Sequence, residues 1–477
     1  IYTLSLHDAL PISIVSGERS EQRTYHYDNA VIHQQGRGFC GFEKFRVIDN
    51  IRAREERQQY DPYNFGVLKS GDTHLTRSTH TWNVEVQWNK IARITPARST
   101  TLDKPTGRSV TASYSFDSYG NPTGETIDYG AGTTAVTSQT FFNSTGALYL
   151  LGQPLVKTVT RTRGGSSWKD REEIAYDADT RLPVSKITHT GTAGDKKTGE
   201  TRWTYDANGN ITSEKTRPYN VTDFLETSYT YDPTGRYLAT TTDALGQTTA
   251  CSDYDKYGNA RKITDHRGQT TVRAFDVWGR ADSTRFPDGS CQKITREWRY
   301  GTIRYRITES ITGKPSSRVG YDPLGREVCS EQRGARWSWR SVSRVYDSHG
   351  RIKKVSLPYH YTPKHWNNYS YDDYDRPTRF SEASGKTTSW NYDGLSVTET
   401  KNGIAVTKTV DASGALVSVN DPGGTITYAL RPDGQPSSIT APGGIVTSFG
   451  YDAFGRQTSI TDRSEEHTSE LQSPIVI

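Results

Sequence analysis

The hexad Tyr231-Asp232-Pro233-Thr234-Gly235-Arg236 constrains the fold more than any other stretch. Its pattern of aromatic, Asp, two variable residues, Gly and then Arg or Asn returns along the chain. Copies stand at Phe116-Asp117-x-x-Gly120-Asn121, Tyr205-Asp206-x-x-Gly209-Asn210, Tyr254-Asp255-x-x-Gly258-Asn259 and Phe275-Asp276-x-x-Gly279-Arg280. Others stand at Tyr321-Asp322-x-x-Gly325-Arg326, Tyr346-Asp347-x-x-Gly350-Arg351 and Tyr451-Asp452-x-x-Gly455-Arg456. The starts at 205, 231, 254 and 275 are 26, 23 and 21 residues apart, so the unit is a repeat, and a repeat folds by stacking on its neighbours.

Turn chemistry explains the residue types. Asp at the first position, Pro at the second and Gly at the fourth suit a type I turn, and Asp232, Pro233 and Gly235 fill those places, as do Asp322, Pro323 and Gly325. An Asp carboxylate can accept from a backbone N–H two residues on, and Gly supplies the left-handed residue that a bulged hairpin needs. A second D-x-x-G lies midway between copies, at Asp243–Gly246 and Asp265–Gly268, so turns recur every 10 to 12 residues from 232 to 276. That spacing predicts an all-β chain of successive hairpins. Upstream, Trp82, Val84, Val86 and Trp88 alternate with polar residues, which predicts a half-buried strand. The copy at Tyr176-Asp177 has Arg181 in place of a turn Gly and predicts a longer loop, and Trp298 to Tyr300 fills a missing copy.

Composition narrows the function. Hydrophobic residues are 32%, below the roughly 45–50% of globular chains, but 29 Tyr and 10 Trp argue against disorder and for a thin aromatic core. The 59 basic and 54 acidic residues are interspersed, so no basic stripe points to nucleic acid. Cys40, Cys251, Cys291 and Cys329 have neither metal nor disulfide-framework spacing, and the longest apolar run, residues 147–151, is far short of a membrane span of about 20. With no Met anywhere, the chain reads as a fragment. Residues 2–12 (YTLSLHDALPI) and 463–473 (RSEEHTSELQS) resemble translated sequencing adapters and are set apart from the fold.

The candidate chemistry is thin. Residues 36–41 match G-x-G-x-x-G, but the strand-like Phe42-Glu43-Lys44-Phe45-Arg46-Val47 follows where a dinucleotide site requires a helix. Paired carboxylates could serve a glycosidase, yet each repeat Asp has a turn to cap. Pro363 separates His360 from His365 and precludes a two-histidine helix face. Asn143-Ser144-Thr145 is a sequon by chance. No catalytic, cofactor or metal site is expected. The repeat aromatics have two readings: an exposed row that stacks on sugars, or rungs packed on the same residue of the next repeat. Phe116 and Phe275, which lack the hydroxyl, favour the second.

These residues resemble the YD repeats of the Rhs family, found in bacterial polymorphic toxins, insecticidal toxin complexes, wall-associated proteins and teneurins. The resemblance covers residues 114–462. Gly36-Arg37-Gly38-Phe39-x-Gly41-Phe42 is similar to a segment that precedes the repeats in the toxin-complex type. The resemblance implies a large spiralling β-sheet shell around a C-terminal toxin, a secreted or cell-surface location, and other toxin-complex or secretion subunits as partners. The family's core cleavage region is absent before residue 463, so cleavage and toxicity are not expected of these residues. The expected organisation is an adapter-like stretch at 1–12, a pre-repeat β segment at 13–110, YD repeats at 111–462 and a second adapter-like stretch at 463–477. The expected role is structural and non-enzymatic. An adhesion or carbohydrate-binding repeat protein is the alternative, and a glycoside hydrolase a distant third.

Overall fold

The computed structural model describes residues 2–4, 12–16, 19–33, 36, 38–86, 91–146, 149–334 and 338–462, with side chains from residue 22 onward. All 38 strands among the described residues belong to one sheet. From Arg19–His33 to Gln457–Asp462 each strand pairs antiparallel with its neighbours in sequence, as in Leu225–Tyr231 against Leu238–Thr242 and that strand against Thr248–Tyr254. The strands Tyr2–Leu4 and Ile12–Ser16 both pair with Arg19–His33, and residues 463–477 lie outside the described residues. The strand Arg108–Phe116 runs through the boundary at 110 drawn from the sequence pattern. Among the described residues, helix is confined to short turns at Pro62–Asn64 and Pro442–Gly444. Among the described residues no helix is long and apolar enough to cross a membrane.

The sequence pattern dictates a sheet one layer thick. In Thr76–Val86 the half-buried and exposed residues alternate from Thr76 to Glu85, as period 2 requires; Trp82 is on the covered side, while Val86 is 58% exposed and Trp88 lies outside the described residues. The accessible surface is 29949 Å², against about 18,000 Å² expected of a compact globule of this mass. Only Ala30, Val31, Pro62, Trp168 and Cys329 are buried apolar residues among those described. Solvent therefore reaches both faces, and stability rests on the ladder and on cross-strand pairs, among them Thr230–Thr240 at 2.6 Å, Thr242–Thr248 at 2.8 Å and Thr264–Thr270 at 2.9 Å.

The sheet also bends back on itself. Arg52 donates through Nε to the His349 carbonyl at 3.1 Å, and Arg108 donates to that of Ala412 at 3.1 Å. Tyr219 meets Phe454 with ring centroids 6.1 Å apart. One edge of an earlier coil thus receives the turns of a later one.

Candidate functional site

Each repeat turn is held by its Asp. At Asp255 the Oδ1 atom accepts from Tyr257 N–H at 2.8 Å and Asn259 N–H at 2.9 Å, and Gly258 N–H reaches the Asp255 carbonyl at 3.1 Å. Asp322, Asp347 and Asp452 repeat this with Leu324 and Arg326, His349 and Arg351, and Phe454 and Arg456. The Gly residues at 120, 209, 235, 258, 279, 325, 350 and 455 all have φ between 68° and 90°, the left-handed region expected of them. Hydrogen bonds from Tyr237 N–H and then the Thr234 hydroxyl hold Asp232 below the ordinary carboxylate range, and those from the Asn210 side chain and backbone do the same for Asp206. These carboxylates are fixed as ionised acceptors, the opposite of a general acid. The turn at Asp177 is one residue longer, with Arg181 N–H bonded to the Asp177 carbonyl at 3.1 Å and Arg181 itself at φ 60°.

The rungs differ from the like-on-like ladder expected of the sequence. Along most of the array the hydroxyl of the repeat Tyr donates to a backbone carbonyl of the preceding repeat: Tyr205 to Pro183 (2.7 Å), Tyr231 to Ile211 (3.0 Å), Tyr346 to Glu327 (2.6 Å), Tyr371 to Ile352 (2.8 Å) and Tyr451 to Pro436 (2.6 Å). In the later repeats the ring is covered by the Arg of the repeat before. Arg326 lies 4.6 Å over Tyr346, Arg351 4.6 Å over Tyr371 and Arg376 4.1 Å over Tyr392. The same Arg326 binds Asp322 Oδ2 at 2.6 Å, and Arg351 binds Asp347 at 2.8 Å. Asp, Arg and the next Tyr therefore form one connected unit, because a planar guanidinium can pair with a carboxylate and stack on a ring at once. Tyr321 instead meets another tyrosine, Tyr305, at 6.2 Å. Arg280 and Arg456 keep the Asp bond, to Asp276 at 2.8 Å and Asp452 at 2.7 Å. Where Asn replaces Arg, Asn210 bridges Asp206 Oδ2 (3.0 Å) and the Gly235 carbonyl (2.9 Å).

Arg236 does not take the Arg role. Its turn has an extra residue, with Asp232 N–H bonded to the Tyr237 carbonyl at 2.8 Å, so Arg236 is exposed. The ring of Tyr237 covers Tyr254 instead, stacked at 4.6 Å.

In the pre-repeat motif, Gly36, Gly38 and Gly41 have φ of 111°, 68° and 102°, and Gly38–Asp49 is a strand paired with Arg19–His33. Phe39 meets Phe42 edge-on at 5.3 Å, and Phe42 meets Tyr27 at 4.9 Å. Arg37 lies outside the described residues. Phe42 and the residues after it stay in the strand, so no helix N-terminus is available for a pyrophosphate. Among the described residues no cluster of His, Cys, Asp and Glu could hold a metal. The four cysteines are free, and burial pushes the Cys329 thiol up. Asn143 is taken up by Asp117 at 3.0 Å and Asn121 at 2.9 Å.

Sequence reasoning missed the seam between the coils. Asp375 occupies the place of the turn Gly in Tyr371-Asp372-Asp373-Tyr374-Asp375-Arg376 and has φ 66°. Its carboxylate binds Arg54 at 2.7 Å across the seam and Arg351 at 2.7 Å within its own coil, with His74 3.5 Å away. The Arg54 hydrogen bond leads in lowering its pKa to about 2. Arg163 pairs with Asp411 at 2.7 Å, Arg376 donates to the Pro105 carbonyl at 3.2 Å, and Arg431 lies 5.0 Å over Trp168. An Asp where the copies at Tyr321, Tyr346 and Tyr451 have Gly was the available signal.

A one-layer antiparallel meander with Tyr-Asp-x-x-Gly-Arg turns along one edge, coiled back on itself, is a β-sheet shell of the YD-repeat type. Residues 432–466 match the family model of the RHS repeat. Its fold is similar to the crystal structure of TcdB2-TccC3, with 11% identity, a TM-score of 0.67 and 94% of this chain covered. It is also similar to the Tc holotoxin pore of Photorhabdus luminescens, with 10% identity, a TM-score of 0.68 and the same 94%. The chain spans 38% and 40% of those two chains. No curated protein matches the sequence.

Proposed function

We propose that this chain is a wall segment of a secreted toxin shell that encloses a C-terminal passenger polypeptide and assembles with other toxin-complex subunits. The observation that carries this reading is the seam: a sheet wetted on both faces closes edge-on against itself through Arg54, Asp375, Arg163 and Asp411, which makes a wall rather than a packed core. Likeness of fold to TcdB2-TccC3 supports it. A structural role without enzymatic chemistry agrees with the turn duties of the repeat carboxylates. The carbohydrate reading loses its platform at Tyr346 and Tyr371, whose rings lie under arginines and whose hydroxyls are bonded to backbone.

The test is limited proteolysis of the whole natural polypeptide that contains residues 13–462. The part downstream of the repeats should resist cleavage while the wall is folded and become sensitive once it is unfolded by denaturant. Cleavage of that part at the rate of an unfolded control, with the repeats intact, would refute enclosure.

A further inference from the structure

The row of repeat turns meets two different surroundings. In the later coil the two residues between Asp and the fourth turn position make the seam: His349, Asp373 and Ala412 present carbonyls to Arg52, Arg54 and Arg108 at 3.1, 3.4 and 3.1 Å. Phe454 packs on Tyr219. In the earlier coil the same two seats hold Tyr257, Val277, Trp278 and Leu324, and the turn between 299 and 304 adds Trp298 and Tyr300 beside it. Val277, Trp278, Trp298 and Tyr300 are 77, 75, 84 and 97% exposed. The turn backbone is the same in both places, with φ 75° at Gly279 and 74° at Gly325 against 84° at Gly350 and 79° at Gly455.

These side chains fall in two groups along the edge. The Tyr257 hydroxyl donates to the Val277 carbonyl at 2.6 Å, and Trp298 packs on Tyr305 at 5.0 Å. A groove of about 430 Å³ runs from Trp298 to Asp322, with Arg280, Arg296 and Arg304 on its walls. Arg280 is paired with Asp276; Arg296 and Arg304 have no carboxylate partner among the described residues. Exposed apolar patches of this kind mark interaction sites, and Trp, Tyr and Arg are the side chains that anchor them.

We propose that the turn edge from Tyr257 to Leu324 docks an acidic β-hairpin edge of another polypeptide, seated as the earlier coil's edge is seated against the later one. Two observations select this occupant. The row of turns is continuous with a row that already serves as a sheet-to-sheet interface. The ion pairing differs: at the seam Asp375 and Asp411 of the turns meet arginines of the facing edge, whereas here the charged groups left without a carboxylate partner among the described residues are Arg296 and Arg304. The partner edge must then bring carboxylates, with apolar groups for the two indoles. The inference is independent of whether the shell encloses a passenger.

The experiment titrates the full chain into a fluorescein-labelled, cyclised hairpin peptide with a pair of glutamates and a leucine at its turn, and reads fluorescence anisotropy. Saturable binding is expected, weakened about tenfold or more by replacing the glutamates with glutamines and by the double change Trp278→Ser, Trp298→Ser, both exposed positions. Circular dichroism and the denaturant midpoint of that variant should be unchanged. Absence of saturable binding, or equal affinity of the double variant, would overturn the proposal. So would a dimer of the chain alone in sedimentation that the double change abolishes, since the edge would then take a second copy.

Discussion

Asp375→Asn removes a charge from the seam while keeping the side chain's shape, so it isolates the electrostatic contribution of one residue. The carboxyl has a pKa of about 2 in the folded chain against an ordinary 3.8. At about 1.4 kcal/mol per unit that gap is an upper bound near 2.4 kcal/mol; with the side chain 32% exposed, solvent screening brings the expected loss to roughly 1–2 kcal/mol. The folded-state pKa is depressed, so the stabilisation is complete above pH 4 or so and disappears as pH falls toward 2. His74 does not offset it: burial and then Arg54 hold its imidazole below the ordinary pKa, which keeps it largely uncharged at pH 7. A long repeat array need not unfold in one step, so the readout is local: hydrogen exchange of amides at 50–54 and 372–376. The Asn variant should exchange about 5- to 30-fold faster there at pH 7 and converge on the parent near pH 2. Asp375→Gly should fall between the two, because it loses the same ion pairs but relieves a left-handed Asp at φ 66° by about 1 kcal/mol. Equal exchange of Asn variant and parent at pH 7, or a deficit that persists unchanged at pH 2, would refute the hub.

Gly235→Ala should cost about 1–2 kcal/mol, since φ is +68° and the new methyl would press on the Asn208 side chain; a thermal midpoint equal to the parent's would contradict a left-handed turn. Glu200→Gln should cost roughly 2–3 kcal/mol at pH 7, because a side chain only 6% exposed binds Arg217, Lys197 and Arg202 at 2.8, 2.9 and 2.6 Å. The Arg217 hydrogen bond leads in lowering the Glu200 pKa from 4.5 to about 2, so the deficit should fade between pH 4.5 and 2 in denaturant titrations. Tyr231→Phe should cost about 0.5–1.5 kcal/mol by freeing the Ile211 carbonyl, with hydrogen exchange of neighbouring amides as the check.

Local features were legible in the sequence because local chemistry decides them. Asp232 and Gly235 must be turn parts wherever they stand, and the alternation around Trp82 must be a strand. The seam was not legible for a different reason. Arg52 and Arg54 lie upstream of the repeats and find their partners at His349 and Asp375, about 300 residues on, a distance fixed by the accumulated twist and curvature of many strands rather than by any motif. The tyrosine hydroxyl was misjudged because Phe116 and Phe275 showed only that it can be omitted. In a sheet this thin the ring is half-buried, and burial pushes the Tyr205 and Tyr231 phenols above their ordinary range. The hydroxyl therefore stays a donor and needs an acceptor.

Phe275 provides the reciprocal test of that role. The acceptor carbonyl belongs to the residue paired with the preceding rung: Ile211 pairs with Tyr205, and Ile352 with Tyr346. It sits just ahead of the ladder to the next strand, which begins at Ser213 for the first and Lys354 for the second. There the next tyrosine's hydroxyl supplies the donor. By the same register the carbonyl awaiting Phe275 is that of Ala260, which pairs with Tyr254 ahead of a ladder that starts at Lys262. Phe275→Tyr should therefore gain a hydrogen bond to Ala260 and stabilise the array by about 0.5–1 kcal/mol, an uncommon direction for a core substitution. A gain in denaturant midpoint that disappears when O-methyltyrosine is placed at position 275 instead would tie it to the O–H. A loss of stability would mean that the tyrosine bonds accompany the coil geometry without contributing to it.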